Sequence, residues 1–252
     1  MSSTDSDDYR APLGGGAILS GSFALLAKRF PHILALCLPV QIALLAVASL
    51  TLGWEVAIGL ELPVEAFLSW QYGISAIASL AGATLMTILL TRLALDTELG
   101  IGRGYFGYWR IGLARLVPLM LVSVIVFVYM AIGLMFLIVP GIWVIAVYAT
   151  VFPAAIYEQR SFRALPRSQA LTKEFRWPIV GVLVGLIVIA LLASLIPTGL
   201  QIFMMTMEDR PLAAVALITG LNMIAQTVIY TANSFAFALI YIRLRDIKEG
   251  RE

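Results

Sequence analysis

Long uncharged stretches dominate the pattern of hydrophobic and polar positions along this chain. The longest extends over residues 116–157 and is interrupted by Pro140 and Gly141. Because one bilayer crossing takes about 20 apolar residues, this stretch is long enough for two crossings. A Pro-Gly pair favours a turn, so we predict that Pro140 and Gly141 form the turn of a hairpin outside the hydrocarbon.

The remaining uncharged stretches raise the number of predicted membrane spans to six. Each stretch is bounded by charged segments and is long enough to cross a bilayer. The predicted spans are residues 33–54, 68–91, 116–139, 142–157, 178–200 and 212–242. Prolines predict two local features: Pro153 should kink the fourth span, and the fifth should end near Pro197.

The composition agrees with this pattern. The chain is 61% apolar and 13% charged, with a mean hydropathy of +0.95, whereas soluble domains are about 45–50% apolar. We therefore predict an all-α fold, an integral membrane bundle of six transmembrane helices with short interfacial amphipathic helices on the cytoplasmic side. Residues 13–250 would form this single membrane domain, and the polar, acidic residues 1–12 would be a disordered N-terminal tail.

The distribution of charge predicts the orientation of the spans. In this topology all of the 17 Lys and Arg residues except Arg210 lie on one side of the membrane. Arg210 lies on the other, acidic side, which also contains Glu55, Glu61 and Glu65. Basic loops stay in the cytoplasm, so both termini are predicted to be cytoplasmic.

Three amphipathic segments precede predicted spans on the basic side, and each ends with a proline: SFALLAKRFPHI, YWRIGLARLVPL and SQALTKEFRWPI. Pro31, Pro118 and Pro178 should occupy the first turn of a span, where a missing N–H does little harm. The helix that contains the third segment has Ser161 as its predicted N-cap. The pattern fits either a threefold repeat or convergence on one way of entering the membrane.

Candidate catalytic and metal-binding residues are scarce. The chain has one cysteine, Cys37, and one histidine, His32, and a catalytic pair would also need an orienting acid, which no predicted span contains. We predict no enzyme activity, no catalytic residue, no metal and no cofactor, and we expect no nucleic-acid partner.

A basic segment between the fourth and fifth spans is the first candidate binding region. It could bind anionic lipid headgroups of the bilayer, a membrane-protein partner or a second copy of the chain. Alternatively, its charge only sets the topology. The candidate residues are Arg160, Arg163, Arg167, Lys173 and Arg176.

A stripe of polar residues on one face of the sixth span is the second candidate. Asn222, Gln226, Tyr230 and Asn233 follow helical spacing at membrane depth. Such groups must face protein or water, because lipid offers no hydrogen bonds. They would either line a substrate cavity or form hydrogen bonds between helices.

The region around the basic segment resembles a known family. The matching residues are Pro140-Gly141-Ile142-Trp143, Glu158, Ala164-Leu165, Arg167-Ser168 and Leu171-Thr172, and the departures are Pro166 and Glu174. This pattern resembles the bacterial family of polytopic membrane domains named for the glycerophosphoryl diester phosphodiesterase membrane domain, including its uncharacterised stand-alone inner-membrane relatives. The resemblance implies a multi-pass protein of the bacterial inner membrane. In the phosphodiesterases catalysis belongs to a separate soluble domain, so the resemblance implies no activity for this segment.

Three functional hypotheses follow. The first is a non-catalytic inner-membrane protein that engages anionic lipid or a membrane partner through its cytoplasmic-side amphipathic helices. The alternative is a small-molecule transporter or channel whose pathway follows the sixth span, and it would be favoured by a cavity that reaches Asn222 and Gln226. An intramembrane enzyme is disfavoured because the spans contain no acid.

Overall fold

The computed structural model describes residues 14–61, 69–136, 138–159, 161–207 and 210–250, without the side chains of residues 136, 138 and 139. Within these ranges the chain forms helices and no strand. The helices are α1 (Gly15–Leu52), α2 (Trp54–Ala57), α3 (Trp70–Glu98), α4 (Tyr105–Phe136), α5 (Ile138–Tyr148), α6 (Val151–Tyr157), α7 (Ala164–Thr172), α8 (Arg176–Met205) and α9 (Leu212–Glu249). The predicted tail, residues 1–12, lies outside the described ranges.

Six helical segments are long and apolar enough to cross a membrane, and α5 and α6 together form the fourth of them. The predicted all-α class with six membrane-spanning helices is therefore confirmed. The spans form three hairpins that pack side by side: α1 with α3, α4 with α5 and α6, and α8 with α9. Each hairpin begins at one of the three amphipathic segments. A threefold repeat and convergence on one way of entering the membrane both remain predictions.

The bundle has a basic end and an acidic end. The basic end contains residues 98–115, 158–159, 161–176 and 243–250, and the acidic end contains Glu55, Glu61 and Arg210. Packing differs between the two halves. Near the basic end, Leu89 and Leu90 of α3 and Phe235 of α9 are almost fully buried. We call this the packed half, and we call the half at the acidic end, where exposed side chains such as Ile77 of α3 and Leu217 of α9 occur, the open half.

The amphipathic segments do not all behave as predicted. α1 and α4 continue without interruption from these segments into the spans, so Pro31 and Pro118 lie inside helices and not in a first turn. The reason is packing: Ser22 in the first segment and Ile18 just before it are fully buried in the bundle. Contacts along the whole helix outweigh the local disturbance by proline. The prediction holds for Pro178, which is the third residue of α8.

The predicted hairpin turn at Pro140 and Gly141 is displaced. α4 ends at Phe136 and α5 begins at Ile138, so Pro140 and Gly141 lie in the first turn of α5. Proline favours this position in a helix. Gly141 packs directly against Gly133 of α4, where an added Cβ would lie 3.1 Å from the Gly141 Cα. The Pro-Gly pair therefore marks the start of a closely packed helix and not the turn itself.

Three helices continue beyond the predicted ends of their spans, because tertiary contacts extend them. α8 continues past Pro197 to Met205, and its last turns are held by buried Met204 and by Gln201. α3 continues beyond residue 91, where buried Asp96 accepts a hydrogen bond from Arg103 at 2.8 Å. α9 continues beyond residue 242 to Glu249.

Candidate functional site

A cavity of about 440 Å³ lies in the open half of the bundle, between α1, α2, α3, α8 and α9. It extends from Ile58 and Gly59 near the acidic end to Met86 and Tyr230 near the middle of the bundle. Beyond Tyr230, the next turn of α9 is buried in the packed half. The cavity therefore ends where the packed half begins. Its polar lining residues are Gln41, Ser79, Gln201, Thr219, Asn222, Gln226 and Tyr230.

Gln201 connects the α2 segment to α8 at the edge of the cavity. Its side-chain nitrogen donates hydrogen bonds to the carbonyls of Ile58 at 2.9 Å and Gly59 at 3.0 Å. Gly59 has a φ of +74°, and an added Cβ would collide with the Gln201 amide. Glycine is required here both by the backbone conformation and by this close approach.

Gln41 of α1 forms the polar contact between α1 and α9 at this depth. Its Nε2 donates to the Thr227 hydroxyl at 3.0 Å, and that hydroxyl donates to the carbonyl of Met223 at 2.8 Å. The Oε1 atom of Gln41 is buried and has no hydrogen-bond partner among the described residues. A buried polar atom without a partner is unfavourable unless water or a ligand reaches it.

The predicted polar stripe divides between two environments. Asn222, Gln226 and Tyr230 line the cavity, whereas Asn233 does not. Both asparagine side chains donate to their own helix, Asn222 to the carbonyl of Ile218 at 3.2 Å and Asn233 to the carbonyl of Ile229 at 2.9 Å. These two amides therefore bond within α9 and do not join it to another helix.

The fourth span is broken between α5 and α6, at residues 149–150. Pro153, in the first turn of α6, explains the break, because proline cannot donate to the preceding turn. The carbonyl of Val147 accepts hydrogen bonds from Ser168 at 2.8 Å and Thr172 at 3.2 Å, both on α7. Ser168 also bonds the Thr150 hydroxyl at 2.9 Å. The hydroxyls of α7 thus satisfy the backbone at the break.

An ion-pair network fixes the other side of α7. The Nε of Arg167 donates to Glu158 at 2.7 Å, and its Nη2 contacts Glu249 at the end of α9. The hydroxyl of Tyr241 donates to the same Glu158 oxygen at 3.1 Å. Burial lowers the pKa of the Arg167 guanidinium, but hydrogen bonds to the two carboxylates raise it more, so the net direction is upward. Arg167 therefore stays charged and joins α6, α7 and α9.

The five basic candidates do not share one role. Arg167 is paired with carboxylates, and Arg176 lies over the Trp143 ring at 5.4 Å from its centroid. Arg163 and Lys173 are exposed, and Arg160 lies outside the described residues. Arg163 occupies the N-cap position of α7 and makes no side-chain cap bond, so the predicted cap at Ser161 is wrong. The N-cap lies at Arg163 and not at Ser161, because residues 161–163 form a turn before the helix begins.

Residues that the sequence analysis missed complete the cavity wall. Gln41 lies in the predicted first span, and Gln201 lies just beyond the predicted end of the fifth. Both are amides within uncharged stretches, which is the same signal that identified Asn222. A search for polar residues on all spans, and not only within one helix, would have found them.

The described residues contain no group of three or more His, Cys, Asp or Glu side chains that could hold a metal ion. Comparison with family models, with curated proteins and with solved structures finds no match to this chain. Four of the residues that carry the family resemblance, Glu158, Arg167, Ser168 and Thr172, contribute to the contacts that hold α7. The family assignment itself stays a prediction.

Proposed function

We propose that this protein is a transporter for a small molecule that binds in the cavity of the open half. The observation that carries this proposal is the cavity of about 440 Å³ whose wall includes Asn222, Gln226 and Tyr230. Ligand sites have volumes of about 300–1,000 Å³ and combine an apolar wall with a few polar groups. The wall of this cavity has that composition.

The chemistry of the wall favours binding over catalysis. Among the described lining residues the polar groups are amides and hydroxyls, and none is a carboxylate, an imidazole or a thiol. Such groups bind and orient a molecule but offer no general acid or base of suitable pKa. The packed half closes the cavity on the side of the basic end, so transport requires a second conformation in which this side opens.

Cysteine accessibility tests whether water reaches the cavity. The one native cysteine, Cys37, is fully buried, so the unmodified chain serves as the background for a membrane-impermeant maleimide. Asn222→Cys should be labelled at least about tenfold faster than Asn233→Cys, because only position 222 lines the cavity. Equal, slow labelling of both variants would contradict a hydrated cavity.

A flux measurement tests transport itself. Uptake of the transported small molecule into proteoliposomes should be lost in the Asn222→Leu/Gln226→Leu double variant. The melting temperature of this variant should stay near that of the parent chain. Asn233→Leu is the matched control, since it removes the same kind of amide from the same helix outside the cavity. Unchanged flux in the double variant would contradict a pathway along α9.

We propose a second role, the engagement of anionic lipid or a membrane partner at the basic end. Its support is the exposure of large apolar side chains beside basic residues: Phe106 is 88% exposed and Trp177 is 69% exposed. Exposed Arg163 and Lys173 could each contribute about 1 kcal/mol near an anionic surface. In this role the protein would be non-catalytic.

Hydrogen exchange in nanodiscs tests this second role. Exchange of α7 should slow in anionic nanodiscs relative to neutral ones, and Arg163→Glu with Lys173→Glu should abolish the difference. Arg167 is left intact because it pairs with Glu158 and Glu249. Equal exchange of the parent chain in both lipids would overturn the role.

We also propose that the protein lies in the bacterial inner membrane with both termini in the cytoplasm. The support is the concentration of Lys and Arg at one end of the bundle. Reporter fusions after Glu61, Pro140 and Arg210 should report the outer side. Fusions after Gly102, Phe162 and Gly250 should report the inner side, and an outer signal at Phe162 would reverse the topology.

A further inference from the structure

Three arginines from separate parts of the chain meet around one buried carboxylate beside the basic end. Arg29 lies in α1, Arg92 in α3 and Arg103 in the loop between α3 and α4. Asp96 is 1% exposed, and its two oxygens contact the Nε atoms of Arg92 at 3.2 Å and of Arg103 at 2.8 Å. The charges of Asp96 and of all three arginines act on the hydroxyl of Tyr108 in α4. We call the three arginines the arginine cluster.

The end of α3 fixes the loop that carries Arg103. Gly100 has a φ of +67°, and its N–H donates to the carbonyl of Thr97 at 3.4 Å. The N–H of Ile101 donates to the carbonyl of Asp96 at 2.8 Å. These paired bonds form a Schellman motif, which ends the helix in a defined turn. The Nε of Arg103 then donates to the Asp96 carboxylate, so its terminal nitrogens stay available for another acceptor.

The arginine cluster carries more positive than negative charge. Asp96 balances one of the three guanidinium groups, and no ion pair among the described residues includes Arg29. The nearby acid Glu98 is exposed and likewise pairs with no described residue. The three arginines are partly buried, and water and salt screen partly buried like charges less than exposed ones. An anion with one or two negative charges would therefore stabilise the cluster.

The loop beside the arginine cluster also exposes large apolar side chains. Leu99, Ile101 and Tyr105 are each at least 40% exposed, and Phe106 is exposed even further. Apolar side chains next to basic ones are typical of a surface at the boundary between headgroups and acyl chains. A phospholipid offers a phosphate and acyl chains together, so it matches both features. Inorganic phosphate would match only the arginines and would leave the apolar side chains uncovered.

We propose that Arg29, Arg92 and Arg103 bind the phosphate of an anionic phospholipid in the leaflet on the side of the basic end. This inference rests on the second proposed role and adds to it a binding site outside α7. Guanidinium groups form strong, often bidentate hydrogen bonds to phosphate. Basic pockets between membrane helices hold anionic headgroups in the same way. Asp96 acts as a positioning residue, because it holds two of the three guanidinium groups.

Short-chain lipids test the ligand class. The purified full chain in micelles of a neutral detergent is titrated calorimetrically with dioctanoyl phosphatidylglycerol, dioctanoyl phosphatidylcholine and inorganic phosphate. Phosphatidylglycerol should bind at least about tenfold more tightly than either of the others, because it alone combines net negative charge with acyl chains. Inorganic phosphate that binds as tightly would indicate an ion site and overturn the lipid. Phosphatidylcholine that binds as tightly would overturn recognition of the anionic charge.

Two neighbouring residues of α1 test the location of the site. Arg29→Gln should weaken phosphatidylglycerol binding about tenfold, because a charged hydrogen bond is lost. Lys28→Gln is the matched control: it removes the same charge from the same helix, but Lys28 is exposed, so its effect should stay below about threefold. Neither residue pairs with a described acid, so both variants should melt near the parent chain. Unchanged binding in Arg29→Gln, or equal losses in both variants, would overturn the site.

The α7 variant separates this site from the second proposed role. Arg163→Glu with Lys173→Glu should leave phosphatidylglycerol binding within about threefold of the parent chain, because both residues lie outside the arginine cluster. Loss of binding in that variant, with parental binding in Arg29→Gln, would overturn the cluster as the site and leave the second role intact. No binding by the parent chain up to about 10 mM would overturn both.

Discussion

The packed half and the open half of the bundle are built from the same helices. α3 and α9 run through both, yet Phe235 is 1% exposed in one half while Leu217 of the same helix is 64% exposed in the other. Helices that pack on all sides leave no room for a ligand, whereas helices that separate create a cavity. The packed half is therefore closed, whereas the open half contains the cavity in which we propose that a ligand binds.

Polar groups differ between the two halves in their partners. In the packed half Glu158, Arg167 and Ser168 bond to other protein groups, so they hold the structure together. In the open half Gln41 retains a buried oxygen without a described partner, although it lies at a helix contact. Buried atoms without a described partner also occur in the packed half, Thr91 Oγ1 among them, so such an atom does not by itself mark a site.

The largest expected effect comes from removing an aromatic ring from each half. Phe235→Ala should lower the free energy of unfolding by about 3 kcal/mol, because it leaves a void among closely packed helices. Phe203→Ala is the matched control, since Phe203 is 59% exposed on α8 in the open half, and it should change the free energy by less than about 1 kcal/mol. Unfolding of both variants in mixed micelles measures the difference, and equal losses would remove the distinction between the halves.

The ion pairs at the two ends give the next largest contrast. Arg167→Ala leaves Glu158 and Glu249 without their shared cation and should destabilise the fold by about 1.5–3 kcal/mol. Arg210→Ala removes a 3.4 Å pair with Glu55 at the acidic end and should cost no more than about 1 kcal/mol. Thermal unfolding at low salt measures both, and a larger loss for Arg210→Ala would contradict the comparison.

The hydroxyls at the break in the fourth span should have a smaller effect. Ser168→Ala deprives the Val147 carbonyl of one donor and should lower the free energy of unfolding by about 1 kcal/mol. Ser194→Ala provides the control, because Ser194 bonds only its own helix at Leu191 in the structure. Hydrogen exchange of α7 should rise in the first variant alone, and a matching rise in the control would argue against a specific contact.

The smallest effect on stability is expected in the cavity. Asn222→Leu should change the free energy of unfolding by less than about 1 kcal/mol, since its amide bonds only its own helix. Its large effect should be on ligand binding. A substantial loss of stability would show that Asn222 holds the open half together, and the boundary between the halves would then need to be moved.

The sequence predicted the six spans because the membrane imposes a strict requirement for uncharged residues. It failed at Pro31, Pro118 and Pro197, where a local rule about proline was overruled by packing that no single segment reveals. The break in the fourth span near Pro153 also depends on α7, because the Ser168 hydroxyl of α7 donates a hydrogen bond to the Val147 carbonyl.

The candidate site was only partly predictable for a similar reason. Helical spacing united Asn222, Gln226 and Tyr230 on one face, and the structure places all three at the cavity. Gln41 and Gln201 are far from them in the chain, and nothing in the order of residues connects helices that meet only in the folded bundle. The ion pairing of Arg167 could not be predicted for the same reason, since its partner Glu249 lies at the far end of α9.

The length of α9 has a mechanical consequence. Its 38 residues form one rod of about 57 Å. Residues between Thr231 and Leu244 are held on several sides by the packed half, while the segment from Thr219 to Tyr230 forms one wall of the cavity. Because α9 is one continuous helix, a change in its tilt would move the residues that line the cavity. A spectroscopic distance between α9 and α3 at the acidic end would therefore report cavity opening directly.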